Sequence, residues 1–317
     1  MTAGRPAGRR RLAPRYGTEP PVRQRSRSDV NPYVEAARPK TLAAAVAPVL
    51  VGTAAADRFI AWRAVAALVV AVSVQVAVNY ANDYFDGVKG VDTEARVGPR
   101  RAVASGLVAP AAMKRAIAIA LGVTAAAGIA LAAATTWWLV AVGAVCFAAA
   151  LGYSGGPKPY ASLGLGEVMV FVFFGLVATV GSAFVQDEQV IRTAVIAAVP
   201  VGLFAVAILV ANNLRDIPTD TAAGKRTLAI ALGEGPTRTL FLALFVVAFG
   251  FIGVIALSAR SPWPVVAAVA VPLSARPLGL VREGARGPAL IQVLAGTARV
   301  QLVFAVALAI GLVLAGR

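Results

Sequence analysis

Two clusters of acids and amides stand out in a chain that otherwise has little polar chemistry. The first, "VNYANDYFDGVKGVD" (78–92), ends an apolar stretch that begins near Trp62 and carries Asn79, Asn82, Asp83, Asp86 and Asp92. The second, "ANNLRDIPTDTAAGKRT" (211–227), also closes an apolar stretch and carries Asn212, Asn213, Asp216 and Asp220. Helical positions i, i+3, i+4 and i+7 share one face, so Asn79, Asn82, Asp83 and Asp86 form a stripe that Gln75 extends one turn deeper. Asp216 lies one turn after Asn212. Pro218 disfavours the α conformation at Ile217, so the helix is expected to end there, with Asp220 just beyond it.

Acids gathered at the ends of two apolar helices repel one another, and a cation must offset them. Oxygen ligands without His or Cys favour Mg²⁺, Mn²⁺ or Ca²⁺ over zinc or copper. Magnesium takes a few carboxylates and completes its octahedron with water and substrate phosphates. Lys89, Arg96, Arg100, Arg101, Lys225 and Arg226 lie close by in sequence and suit a phosphate-bearing ligand. The expected ligand is an amphiphilic diphosphate reached from lipid. "AAGKRT" hints at a phosphate loop, but Thr219 and Arg226 stand where that motif requires Gly and Ser or Thr.

The helices that carry these clusters belong to a membrane protein. The 317 residues are 59% hydrophobic and 14% charged, against about 25% charged in a soluble domain. Nine apolar runs are long enough to cross a bilayer core of roughly 30 Å, near 40–56, 62–86, 110–131, 135–153, 163–184, 192–216, 237–258, 262–281 and 299–316. The eighth is interrupted by Pro272, Arg276 and Pro277. The fold expected is an all-α membrane protein of nine transmembrane helices, as two four-helix halves plus a ninth. Each acidic cluster then ends the second helix of its half.

The net charge of +15 invites a nucleic-acid partner, but the bases cluster between the apolar runs, so none is expected. With the N-terminus in the cytoplasm, 25 of the 30 Lys and Arg fall on the inner side, together with both acidic clusters. Residues 1–30 read as a disordered basic cytoplasmic tail and 31–317 as the membrane domain. The single cysteine, Cys146, excludes an intrachain disulfide, and the absence of histidine excludes Ser-His-Asp and HExxH chemistry. A transporter is the reading from another class, but it calls for polar residues along a whole transmembrane path, and here they concentrate at one end.

At these residues the chain resembles the UbiA superfamily of intramembrane prenyltransferases. Asn82, Asp83 and Asp86 match its Asn-Asp-x-x-Asp signature, and Asp216 and Asp220 match its Asp-x-x-x-Asp. "NDYFDGVKGVDTEARVGPRRAVASGLV" (82–108), "GPKPYASLGLGE" (156–167) and "NNLRDIPTDTAAGKRTLAIALG" (212–233) are similar to the branch that prenylates 1,4-dihydroxy-2-naphthoate. Asp92 falls six residues after Asp86, where the wider superfamily has four; that spacing is the branch's own.

The resemblance implies a bacterial-type cell-membrane enzyme of menaquinone synthesis, joining 1,4-dihydroxy-2-naphthoate to a polyprenyl diphosphate with loss of CO₂ and diphosphate. Other aromatic acceptors, 4-hydroxybenzoate or homogentisate, are the alternative. It implies Mg²⁺ on Asn82, Asp83, Asp86, Asp216 and Asp220. Lys225 and Arg96 would contact phosphate, with Arg100 and Lys158 behind them. Arg215 would serve phosphate or pair with the acids, and Gln75 and Asn79 would face the substrate. Without histidine, the base would be Asp92, Glu167 or the released diphosphate. Tyr153 would stack on the acceptor ring or anchor the membrane interface.

Overall fold

A computed structural model describes Met1 and residues 31–88, 101–156 and 159–316. Asp92, Arg96, Arg100, Lys158 and the basic tail lie outside the described residues. Pro32–Arg317 form one compact unit. Among the described residues there are helices and no strands.

The longer helices are α1 (Ala43–Ala55), α2 (Ala61–Val88), α3 (Pro110–Ala134), α4 (Trp138–Gly152), α5 (Gly166–Asp187), α6 (Arg192–Ala222), α7 (Glu234–Ser258), α8 (Trp263–Arg282) and α9 (Pro288–Gly316). Seven of these, 20 to 31 residues long, are long and apolar enough to cross a membrane. The other two expected spans are α1 with 13 residues and α4 with 15, short of the roughly 20 a full crossing needs. The membrane character of the chain is thus plain, while nine complete crossings are not.

Prolines set several boundaries. Pro110 opens α3 at a position whose N–H has no partner within the helix. The eighth expected span is one segment in two pieces: a 3₁₀ stretch, Trp263–Ala270, gives way to α-helix from Val271. Pro272 sits in the first turn of that helix, where its missing donor costs nothing.

Two departures from expectation bear on the site. First, α6 does not stop at Ile217; it runs through Pro218 to Ala222, so Asp220 lies on the helix one turn beyond Asp216. The local preference loses because α6 is the most buried of the long helices, packed against α7, α9, α5 and α1. Its core is a cluster of rings, with Phe204 5.4 Å from Phe245 and 5.1 Å from Phe304. Second, the two expected halves do not segregate in space. α1 packs more on α9, α5 and α6 than on α2, whereas α2 packs mainly on α3.

α5 contains a π-helical turn at Phe171–Val177, wider than the α-helix on either side. There it meets α6 through two glycines. A Cβ on Gly202 would stand 2.8 Å from the Phe171 ring and 3.0 Å from the Gly175 Cα. Small residues let membrane helices approach at backbone distance, and here they bring α5 against the helix that carries the second acidic cluster. Gly202→Leu is expected to cost about 1–3 kcal/mol through overpacking, read as a lower melting temperature in detergent. Gly250→Leu is the control, since a Cβ there meets nothing within 4 Å.

Candidate active site

One cavity of ≈ 760 Å³ lies among α1 to α6, within the range that accommodates a substantial ligand. Its polarity is segregated. Gln75, Asn79, Asn82 and Asp86 of α2 and Asn212, Asn213, Asp216 and Asp220 of α6 line one end. Val49, Ala67, Leu131, Leu139, Val142, Phe173, Phe174 and Val185 line the rest. The two acidic clusters, about 130 residues apart in sequence, share this space.

Basic side chains meet each acid of the polar end. Arg101 donates to Asp86 at 2.9 Å. Arg215 donates to both Asp216 oxygens at 2.7 Å and to the Asn212 amide oxygen at 2.8 Å. Lys225 stands 3.2 Å from Asp220 and 3.8 Å from Asp86, so one ammonium group joins the acids of α2 to those of α6. Asp86, Asp216 and Asp220 are balanced by Arg101, Arg215 and Lys225 before any ligand binds.

The stretch "AAGKRT" is a helix ending. Gly224 takes φ +72°, its N–H donates to the Thr221 carbonyl at 3.0 Å, and the Lys225 N–H donates to the Asp220 carbonyl at 2.9 Å. That pattern is a Schellman cap, with glycine at the left-handed position. It turns the chain back so that Lys225 faces the acids of the helix it has just left. Thr227 then caps the short helix Leu228–Leu232.

Other expected site residues take varied places. Asp83 does not line the cavity. It is 1% exposed, and its oxygens accept the backbone N–H groups of Ala102 and Val103 at 2.9 and 2.8 Å. Three residues is about 60° short of a full helical turn, so Asp83 sits to one side of Asp86. The Asn79 amide donates to the Ala37 carbonyl at 2.8 Å, and Gln75 reaches Asn79 at 3.4 Å. Glu167 is buried behind the wall, accepting from Asn213 at 2.9 Å, and Asn213 lines the cavity in its place. Arg215 also stands behind the wall, oriented on Asp216 and Asn212. The Ser154 hydroxyl donates to the Asn82 amide oxygen.

Tyr153 and Tyr160 both line the cavity and meet edge to face, with ring centroids 5.5 Å apart. Tyr160 donates to the Ala149 carbonyl at 2.6 Å. Burial pushes the Tyr160 phenol up to about 12. Burial first, and then the Glu167 carboxylate, also raises that of Tyr153. Both therefore stay protonated where an ordinary phenol, with a pKa of about 10, ionises.

Two cavity residues carry little sequence signal. Arg38 lines the polar end from a left-handed backbone (φ 52°), a conformation unusual for a residue with a Cβ. Only its place before Pro39 marks a bend. Ser154 could have been found only as the neighbour of Tyr153.

The donor set fits a magnesium-type ion and not a zinc-type one. The acids at the polar end come from two helices, with no His or Cys among them. The described residues hold no group of three His, Cys, Asp or Glu that would chelate an ion unaided. An ion held here would need water or phosphate oxygens to complete its shell, the habit of Mg²⁺.

The raised phenols have a consequence at high pH. The unfolded chain releases these protons near pH 10 while the folded chain keeps them. Their contribution to stability is therefore complete below about pH 10 and is lost as the pH rises toward 12. Tyr160→Phe is expected to reduce the loss of stability over that interval in alkaline unfolding followed by circular dichroism.

Residues 45–284 match the UbiA prenyltransferase family. The chain is 47% identical to the 1,4-dihydroxy-2-naphthoate octaprenyltransferase of Mycobacterium tuberculosis over 87% of this chain and 95% of that protein. It is 37% identical to the enzyme of the same name from Escherichia coli, over 65% and 70% of the two chains. Its fold is similar to a UbiA homologue from Aeropyrum pernix, with a TM-score of 0.66, 16% identity and coverage of 87% and 96%. A UbiA homologue from Archaeoglobus fulgidus bound to GPP and Mg²⁺ aligns with a TM-score of 0.61 and 13% identity, over 88% of this chain and 99% of that one.

Proposed function

Since this chain belongs to the UbiA prenyltransferase family, we propose that it transfers a polyprenyl group from polyprenyl diphosphate to 1,4-dihydroxy-2-naphthoate, releasing CO₂ and diphosphate and giving demethylmenaquinone. The observation that carries the site assignment is the Lys225 bridge between Asp86 and Asp220, at the polar end of an otherwise apolar cavity. The acceptor assignment is supported by the naphthoate octaprenyltransferase name borne by a 47% identical relative.

Charge balance supports a metal-dependent reaction. The three aspartates of the polar end are already paired with Arg101, Arg215 and Lys225, and a diphosphate brings several negative charges into a shielded space where unpaired charge is costly. It must therefore enter with cations. We assign Asn82, Asp86, Asp216 and Asp220 as the residues that would hold Mg²⁺, an ion bound by the A. fulgidus homologue. Bound there, the metal supplies Lewis-acid stabilisation of charge on the leaving oxygens.

The chain's own residues do the rest. Lys225 and Arg101 can turn from the aspartates to diphosphate oxygens, stabilising the charge that develops as the allylic C–O bond breaks. Beyond them, the apolar wall from Phe173 to Val185 keeps water from the allylic cation. The acceptor carbon attacks that cation, and loss of CO₂ restores aromaticity. Asn213, held by Glu167, and the neutral phenols of Tyr153 and Tyr160 shape the acceptor's place. With Glu167 behind the wall, Asp92 and the released diphosphate remain as the bases we assign, and Arg96, Arg100 and Lys158 as further phosphate contacts.

For topology we propose that α1 and α4 also lie within the bilayer, giving nine membrane helices, with the polar end and the N-terminus cytoplasmic. Residues 1–30 would form a basic tail outside the membrane domain. The bias of 25 in 30 basic residues supports this orientation. The exposed Trp62, Trp137, Trp138 and Trp263, all at the helix ends remote from the acids, suit an interfacial aromatic belt at the opposite face.

In detergent with Mg²⁺, the purified protein is expected to convert dihydroxynaphthoate and a polyprenyl diphosphate to demethylmenaquinone, and a chelator to stop it. Asp86→Ala and Asp216→Ala should each lose at least about 10²-fold in kcat, the scale of one removed electrostatic stabiliser. Robust turnover in either variant would overturn the metal assignment, and turnover with 4-hydroxybenzoate alone would overturn the acceptor.

A further inference from the structure

We infer that Asp83 is a positioning residue: it holds the turn that begins at Arg101, so that the Arg101 guanidinium stands against Asp86, and does not hold an ion. This inference rests on the prenyl-transfer reading above, because the group it positions is one assigned there to the diphosphate.

Consecutive N–H groups, those of Ala102 and Val103, point at the two Asp83 oxygens, one to each. The turn is closed on itself as well. The Ser105 N–H and hydroxyl both donate to the Arg101 carbonyl, at 3.0 and 2.6 Å, and the Val108 N–H donates to that of Ala102 at 3.0 Å. Val103 and Val108 are buried in an apolar cluster with Ala81, Met113 and Ile117. A buried carboxylate of α2 thus holds the backbone of this turn. Arg101 is the first residue of that turn, and its side chain, 8% exposed, reaches the cavity at Asp86.

Gly87 completes the fit. A Cβ there would stand 2.9 Å from the Val103 Cγ1 and 3.0 Å from the Ala104 N, so only glycine lets the turn lie this close to α2. The motif Asn82-Asp83-x-x-Asp86-Gly87 therefore divides its tasks. Asn82 and Asp86 face the cavity, whereas Asp83 and Gly87 face the turn that carries a cation back to Asp86. Swinging Asp83 onto an ion in the cavity would take the acceptor away from two buried N–H groups.

Asp83→Asn is the test. An amide offers one acceptor where two N–H groups converge, and its own NH₂ meets the other. Hydrogen exchange across 101–108 should accelerate by at least about tenfold, and the KM for polyprenyl diphosphate should rise on the order of tenfold, the effect of one misplaced charged hydrogen bond. The Mg²⁺ concentration giving half-maximal rate should stay at the wild-type value, in contrast to Asp86→Asn, which should raise it. In an Arg101→Ala background, Asp83→Asn should add little further to KM. Gly87→Ala, which displaces the same turn without touching a carboxylate, should reproduce the exchange and KM effects and covers the case in which Asp83→Asn does not fold.

Two results would overturn the inference. One is a Mg²⁺ dependence in Asp83→Asn shifted as in Asp86→Asn, with exchange at 101–108 unchanged; the other is a full KM effect of Asp83→Asn without Arg101. If the wild-type chain transfers no prenyl group, the functional reading fails, while the exchange measurement still reports whether Asp83 holds the turn.

Discussion

The rest of this structure depends on one electrostatic constraint: carboxylates at the end of a membrane-embedded cavity cannot be left uncompensated. Three aspartates at the polar end meet three bases, and none of those bases is on α2 with Asp86. Arg101 comes from the turn before α3, and Lys225 returns from the end of α6. Satisfying Asp86 therefore ties together segments far apart in the chain. The cost of burying charge becomes a device for assembling the site.

The same constraint accounts for local features that look unrelated. The Schellman cap at Gly224 sends Lys225 back toward the acids instead of out into solvent. The continuation of α6 through Pro218 keeps Asp216 and Asp220 one turn apart, so that Arg215 and Lys225 each have an acid. The glycine pair Gly175 and Gly202 sets α5 close on α6 and brings Glu167 within reach of Asn213. Beyond this polar end the cavity wall is aliphatic and aromatic, which suits an isoprenoid chain and a reactive cation that water would quench.

The distant end of the bundle has a parallel solution with a different purpose. Asp187 accepts the backbone N–H groups of Asp57 and Arg58 at 2.7 and 2.9 Å, and Gln186 accepts that of Ile60 at 2.6 Å. Arg63 reaches the carbonyls of Val185 and Ala134 and the Glu188 carboxylate. These contacts bind the α1–α2 connection to the end of α5. At this end acids and bases fasten backbone; at the other they face a cavity.

Much was legible in the sequence. The apolar runs located the helices, because length and composition suffice to mark a segment suited to a bilayer. The spacing of Asn82 and Asp86, and of Asn212 and Asp216, put each pair on one helical face, and the absence of His and Cys from both clusters pointed to oxygen donors. What the sequence could not decide was which of several adjacent polar groups faces the cavity. Asp83 and Asp86 are alike in a motif, but about 60° of helical rotation sends one to backbone N–H groups and the other to the cavity. Likewise, Pro218 argued locally for a helix end that packing on α6 overruled, and α1 left its expected half for α9 and α5. Helical periodicity and hydrophobicity are properties of a segment and can be read from it. The partner that satisfies a buried charge is supplied by distant segments, and only the packed bundle determines which one arrives.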